Sequence, residues 1–313
     1  MNRLAILTNA ASRRNRDGAT HLRMLDGMSD VTHRVTREAA ELPAALEELL
    51  ASEPAALAVN GGDGTLHAAL TEMLRSDPAR ALPPLLALPG GTTNMSARDL
   101  GGGGALVPAL RTFLALRDRP LTAWPVERRS VLLVRDASGA RHAGLFFGIG
   151  TIVRGAEYWQ RQLTRRAGEW GAGVALARGA WGIVRRQPPF ADTTRICMRI
   201  DDGSPAEIDV LFLLTTVMRR LFLGLTPFWG PGEGALSCTW LDAAPRRLLR
   251  RLPAVLRGRE AELAVADGYN GHRPGRLHLA FDDAWLLDGE LMPASGPLEL
   301  SASPPLAFLR VAP

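Results

Sequence analysis

The sequence predicts an α/β domain built on a parallel sheet, followed by a largely β second domain carrying two helical insertions. Three observations predict it. Short apolar strands alternate with helical patterns over about the first 120 residues, the signature of a parallel sheet covered on both faces. From Trp124 onward, apolar and polar residues alternate with the period of half-buried strands. Two strands of the first part also run into glycine turns that open helices, at Asn60 to Thr65 and at Pro89 to Asn94.

A chain of 313 residues suits two domains, read here as 1–121 and 122–313 with the last residues free to pack back on the first. No apolar run approaches the ~20 residues a spanning helix needs. Met1 to Ala10 has neither the h-region nor the cleavage site of a signal peptide. Cys197 and Cys238 show no metal or redox spacing, which suits a reducing compartment. The chain therefore reads as cytoplasmic.

All basic residues are arginine; the sequence contains no lysine. A Walker P-loop, a protein-kinase site and a pyridoxal Schiff base all need one, so these classes are excluded. Any nucleotide phosphate must be met by backbone N–H groups, metal and arginine. The formal net charge of +5 and the isoelectric point near 10.3 favour an anionic partner, whether nucleotide, nucleic acid or acidic membrane.

In order, Leu4 to Thr8 is a strand leading to a polar loop with Asn9, Ser12, Arg13 and Arg14, readable as a surface turn or a phosphate wall. Val31 to Val35 is a second strand, followed by Thr36. Leu42 to Ala51 is a helix. Ala55 to Val59 is a buried strand feeding Asn60-Gly61-Gly62-Asp63-Gly64-Thr65, after which Leu66 to Leu74 has helical spacing. Leu85 to Leu88 is the fourth strand. It feeds Pro89-Gly90-Gly91-Thr92-Thr93-Asn94, and the next helix is expected to be capped by Asn94 or Thr93. Leu106 to Leu116 closes the domain as a helix.

In the second part, Ser130 to Arg135 and Arg141 to Phe147 form an expected hairpin, as do Arg195 to Ile200 and Ile208 to Thr215. Leu236 to Leu241, Ala261 to Ala266, Gly275 to Phe281 and Leu298 to Ser301 are further strand candidates. One insertion, Gly155 to Arg186, mixes Tyr158, Trp159, Trp170 and Trp181 with arginines. The other, Pro245 to Arg259, puts Leu248, Leu252, Val255 and Leu256 on one stripe beside six arginines. It reads as a helix covering the sheet, and contact with an anionic bilayer would not conflict with that. Trp285 to Leu287 runs into the Asp288-Gly289-Glu290 turn, a common hairpin signal in its own right.

Strand, glycine turn and helix start together suit a phosphate. Glycine permits close approach and positive φ, and the free N–H groups and dipole of the helix start favour an anion. Asp63 would repel that anion unless a divalent cation lay between; as a turn with a capping residue, the stretch needs neither. In open α/β sheets ligands sit outside the carboxyl ends of the strands. The loops after strands one, three and four share that edge, which strengthens the reading of a common anion site.

Gly61-Gly62-Asp63-Gly64-Thr65, Pro89-Gly90-Gly91-Thr92-Thr93-Asn94 with Ala97-Arg98, and Asp288-Gly289-Glu290, in this order and separation, resemble the diacylglycerol kinase catalytic-domain family, which includes bacterial soluble lipid kinases and sphingosine kinases. The resemblance implies an NAD kinase/diacylglycerol kinase-like α/β domain, a β-sandwich domain after it, and an active site in the cleft between. It implies that Gly61, Gly62, Gly64 and Thr65 hold ATP phosphates, with Asn9, Ser12, Thr36, Gly91, Thr92 and Asn94 around the nucleotide. Asp63 is implied to hold Mg²⁺ through water, and Glu290 to act as general base; Asp288 is the other carboxylate to consider for metal. The chain departs from the pattern at Ala10, Arg13, His67, Ala68 and Met95, and Gly232-Glu233-Gly234 stands where an Asp-Gly pair of a structural metal site is expected.

The expected activity is ATP-dependent phosphorylation of a lipid hydroxyl, on diacylglycerol or a related lipid, by a peripheral enzyme at an anionic membrane surface. The resemblance leaves room for a homodimer. An NAD kinase would share the first motif, but Asn94-Met95 stands where its Asn-Glu pair belongs. A catalytically degenerate nucleotide or lipid sensor is the other alternative. A nucleic-acid partner is not expected, because the arginines are dispersed and no recognition motif accompanies them.

Overall fold

The computed structural model describes all residues except 17–19, 76, 78, 80, 163–190, 295 and 312–313. The chain divides into two compact units, Met1–Val131 with Ser303–Pro313, and Leu132–Ala302.

The first unit is an α/β fold on a six-stranded sheet. Its strands are β1 (Leu4–Asn9), β2 (Val31–Thr36), β3 (Ala56–Gly61), β4 (Leu85–Pro89), β5 (Val126–Arg129) and β17 (Leu306–Leu309), in the order β2-β1-β3-β4-β17-β5. The first four run parallel, β17 continues them beside β4, and β5 is antiparallel at the edge. β1, β3 and β4 are buried on both faces, which explains their continuous apolar runs.

Helices α1 (Leu42–Ala51) and α2 (Asp63–Leu74) pack on β1, β2 and β3 and on each other. Helix α4 (Leu106–Leu114) sets Leu106, Leu110 and Phe113 against Leu4, Ile6, Ala58, Leu86 and Leu88. The short α3 (Met95–Asp99) follows β4. Its last residue, Asp99, forms a buried ion pair with Arg129 at 2.6 Å, tying α3 to the antiparallel edge strand.

The second unit is an antiparallel sheet of eleven strands, containing β6 (Leu132–Arg135), β7 (Arg141–Gly144), β8 (Phe146–Gly150), β9 (Thr194–Ile200), β10 (Ala206–Thr216), β11 (Ser237–Asp242), β12 (Tyr269–His272), β13 (Arg276–Ala280), β14 (Trp285–Leu287), β15 (Glu290–Met292) and β16 (Leu298–Ala302). The long β10 pairs with β9 through Ala206 to Val210, and with β8 and β11 beyond that. Its register to β11 breaks between Val210 and Phe212, where it passes from one layer to the other. Leu132, Val134, Ile196, Leu277 and Leu300 then share one core with Phe147, Ile149, Leu213, Trp285 and Leu287. His142 on β7 meets Trp285 on β14 edge-to-face at 5.6 Å, although these strands lie near opposite ends of the pairing path. The expected sandwich is thus one hydrogen-bonded sheet folded onto itself.

Several expectations are corrected. Arg141 to Phe147 is not one strand: β7 ends at Gly144 and β8 begins at Phe146, with Leu145 between them. Ala261 to Ala266 is not a strand but runs across two 3₁₀ turns, Glu260–Glu262 and Val265–Asp267. Neither the alternation nor the apolar content there distinguishes a strand from such turns. Of the first insertion, α5 (Thr151–Gln162) is described; the rest, with Trp170 and Trp181, lies outside the described residues. The second insertion forms α6 (Leu248–Arg257).

Candidate active site

The carboxyl ends of β1, β3 and β4 bring most of the expected first-unit residues together. Thr65 is the hub. The Asn9 amide donates to Thr65 Oγ1 at 2.8 Å, and Ser12 Oγ lies 3.5 Å from it. Asn9 also accepts the Ala11 N–H through Oδ1 at 2.9 Å. Thr36, buried at the end of β2, accepts the Ala10 N–H through its carbonyl at 2.8 Å.

The two glycine turns touch. Gly90 N–H donates to Gly61 O at 2.9 Å. A Cβ on Gly91 would lie 2.4 Å from Gly62 Cα, one on Gly90 2.6 Å from Asn60 Oδ1, and one on Gly61 2.4 Å from Thr65 Cβ. Protein atoms, not an open cradle, occupy those spaces. The expectation that these glycines take positive φ is also corrected: none of Gly61, Gly62, Gly90 and Gly91 is left-handed, and the residue of this loop that is left-handed is Asn94, at φ 50°. Glycine is required here because one backbone packs on another.

Asn94 stands at the N-cap position of α3 as expected, but its side chain makes no capping hydrogen bond. Its left-handed backbone turns the amide back on the loop, where Oδ1 accepts Gly91 N–H at 2.7 Å and Nδ2 donates to Gly91 O at 3.1 Å. The cap comes from the other turn. Asp63 Oδ1 accepts Ser96 N–H at 2.8 Å, while Oδ2 accepts Thr93 Oγ1 at 2.6 Å and Met95 N–H at 3.3 Å. Thr92 is exposed at the loop tip. Arg14, read as part of a possible phosphate wall, instead donates to the carbonyls of Pro89 at 3.0 Å and Gly104 at 3.1 Å, and its N–H to Gly90 O at 3.0 Å. These backbone-directed roles of Arg14 and Ser96 carry no signal in a single sequence.

What remains available for an anion is the start of α2. Its cap residue, Gly62, has no side chain, and no side-chain hydrogen bond satisfies the first turn. The N–H groups of Asp63, Gly64 and Thr65 precede the first intrahelical donor, Leu66, which bonds Gly62 O at 3.1 Å.

A carboxylate has about four lone-pair positions. Three are engaged on Asp63, and the one left, on Oδ1, fits a metal-bound water rather than direct coordination. Mg²⁺ keeps most of its waters and binds through one or two carboxylates plus substrate phosphates, so Asp63 fits Mg²⁺ in that manner. Among the described residues no three His, Cys, Asp or Glu side chains cluster as metal ligands.

In the second unit, Asp288 (φ 49°) and Gly289 (φ 93°) form the tight turn between β14 and β15. Asp288 is buried, and its carboxylate accepts Leu145 N–H at 3.0 Å and Phe146 N–H at 2.9 Å, filling the break between β7 and β8. A Cβ on Gly144 would sit 2.6 Å from Asp288 Oδ2. With its oxygens on backbone donors, Asp288 is built as a clamp on the turn. Glu290, two residues on, begins β15 opposite Leu287. It is exposed at the start of that strand, and the part of its carboxyl turned toward the sheet is desolvated enough to raise its pKa above the ordinary 4.5. Gly232 and Gly234 pack on the backbone of Arg273 and Pro274, and Glu233 between them is exposed. A cavity of about 440 Å³ on this unit, lined by Arg135, Arg199, His278 and Glu299, contains none of the motif residues.

Residues 3–123 match the diacylglycerol kinase catalytic domain family. That match covers all first-unit motifs. No curated protein matches the sequence. Among solved structures, a proposed diacylglycerol kinase from Bacillus anthracis strain Sterne superposes with a TM-score of 0.68 at 16% identity, covering 98% of this chain and 96% of its own. A second diacylglycerol kinase structure from the same organism gives 0.64 at 14% identity, with coverages of 98% and 96%. At these identities the likeness establishes the fold over nearly the whole chain. Among the described residues no helix is long and apolar enough to cross a membrane.

Proposed function

We propose that the chain is an ATP-dependent lipid kinase that phosphorylates a hydroxyl of a membrane lipid such as diacylglycerol. The observation that carries this reading is the open N-terminus of α2, held against a second glycine turn within a segment that matches a kinase catalytic domain.

The N–H groups of Gly62 to Thr65 offer fixed donors to transferring phosphoryl oxygens, with the positive end of the α2 dipole behind them. Asn9 and Ser12 orient Thr65. Asp63 would hold Mg²⁺ through water, using the lone pair that α3 leaves. When bound, Mg²⁺ shields the triphosphate charge and that of the phosphoryl group in transfer. Glu290 accepts the proton of the lipid hydroxyl as that hydroxyl's oxygen attacks the γ-phosphorus and ADP leaves; desolvation raises its pKa, the direction that makes a carboxylate a better base. Phosphoryl transfer is chiefly positioning plus electrostatics, so the N–H groups at the start of α2 and two carboxylates suffice in a chain without lysine. The lipid acceptor implies peripheral association with an anionic membrane surface.

The test is radiolabelled ATP with mixed micelles of diacylglycerol, sphingosine or phosphatidylglycerol. Label is expected in at least one lipid and absent with Asp63→Ala. No label in any of them, or equal label with the variant, would contradict the reading.

A further inference from the structure

Among the described residues, the second unit exposes three large hydrophobic side chains: Leu223 at 61%, Leu249 at 53% and Val265 at 71%. All three belong to α6 or to loops bonded to its ends. Leu249 is on α6 itself. Leu223 is at the tip of the loop whose Thr226 N–H donates to Leu256 O at 3.1 Å, in the last turn of α6. Val265 opens the 3₁₀ turn whose Asp267 O accepts Arg246 N–H at 2.9 Å, just before α6. The backbone at Leu223 is left-handed, φ 56°, a conformation that a branched, bulky residue rarely adopts. The chain holds an exposed leucine there at a conformational cost.

The same surface is strongly basic. Six arginines lie between residues 245 and 259. Arg246 pairs with Asp267 and Arg259 with Glu262, whereas Arg247, Arg250 and Arg257 are exposed and have no acidic partner among the described residues. Helical spacing explains how apolar and basic groups come to share the outward face. Ala254 and Val255 are buried and anchor the inner side of α6. Leu249 and Pro253 lie on the opposite side, with Arg250 and Arg257 along one edge of it. The exposed leucine is thus not on the stripe that covers the sheet. An exposed apolar strip beside guanidinium groups is what an interfacial helix presents to headgroups and acyl chains. A nucleic acid would gain from the arginines but not from exposed Leu223, Leu249 and Val265.

We propose that α6 and the two loops at its ends are the surface by which this chain docks on an anionic lipid bilayer, with Leu223, Leu249 and Val265 entering the interface and Arg247, Arg250 and Arg257 meeting lipid phosphates. The choice of a bilayer as partner rests on the lipid-kinase reading. The test uses neither ATP nor a kinase substrate, so failure of the surface and failure of the reading are distinguishable.

The experiment is flotation of the full-length protein with phosphatidylcholine vesicles, with and without phosphatidylglycerol. Binding is expected only with the anionic lipid and should weaken with salt. The double variant Leu223→Ser/Leu249→Ser should reduce it about tenfold or more, and Arg250→Gln/Arg257→Gln should do the same. Arg195→Gln, which removes an exposed arginine paired with Asp209 elsewhere on the sheet, should leave it unchanged. All these positions are exposed, and unchanged melting temperatures verify folding. Equal binding to neutral vesicles, or full binding by both double variants, would overturn the proposal. So would binding to duplex DNA that is tighter than to anionic vesicles and insensitive to the leucine variant.

Discussion

Asp63, the first residue of α2, accepts the backbone N–H of Ser96 at 2.8 Å and so caps a helix that begins 32 residues later in the chain. The carboxylate at the heart of the first motif therefore has a structural role, joining the loops after β3 and β4. That does not displace its proposed part in catalysis, because one lone pair of Oδ1 remains. Both roles must be separated by experiment.

Asp63→Ala removes an N-terminal cap and should destabilise the chain by about 1–2 kcal/mol. Asp63→Asn keeps an oxygen for the α3 donors and should cost less, yet it loses the charge that attracts Mg²⁺. Chemical denaturation compared with turnover separates the two. The Asn variant should stay folded and be nearly inactive; an active Asn variant would leave Asp63 a cap only.

Gly91→Ala should disrupt the contact between the two glycine turns. Its Cβ would lie 2.4 Å from Gly62 Cα, backbone against backbone, with no flexible side chain to yield. Overpacking of this kind costs about 1–3 kcal/mol. Gly62→Ala, whose Cβ would lie 3.3 Å from Gly91 Cα, should cost less. Melting temperatures of the two variants test this order.

Glu290 should set an acidic limb in the pH profile. Its pKa is raised by desolvation, and a general base works only when deprotonated, so kcat/KM should rise with pH through that raised value. The sign for stability is opposite. The folded chain binds this proton more tightly than the unfolded chain does, so folding loses stability as pH rises through the interval. Glu290→Gln should therefore melt slightly higher than the native chain at neutral pH while lacking the acidic limb.

The buried pair Arg129 and Asp99 should not tolerate loss of one partner. Arg129→Met leaves the Asp99 carboxylate buried beside the end of α3. Breaking such a pair costs about 3–5 kcal/mol. Urea denaturation should show it; a change below about 1 kcal/mol would mean that solvent reaches Asp99 freely.

The alternation of strands and helices was legible because β1, β3 and β4 are buried on both faces and bounded by turns. The hairpin at Asp288-Gly289 was legible from local turn chemistry. What could not be read is what depends on distant backbone. Asp63 as the cap of α3, Gly62 against Gly91 and Asp288 clamping Leu145 and Phe146 all join residues far apart in sequence. The glycine motifs were recognised, but their physical reason was misread, since the space they keep free holds the partner turn. The exposure of Leu249 is not legible because periodicity marks apolar residues for the core and does not register a leucine on the outward face of α6.

The central claim is tested most directly by transfer of label from radiolabelled ATP to diacylglycerol in mixed micelles, measured for the native chain and for Glu290→Gln at equal concentration. Labelled lipid is predicted with the native chain, falling about 10²–10⁴-fold with the variant, the range for removal of a general base. Equal labelling by the two proteins, or none by the native chain with any of the lipid acceptors, would contradict it.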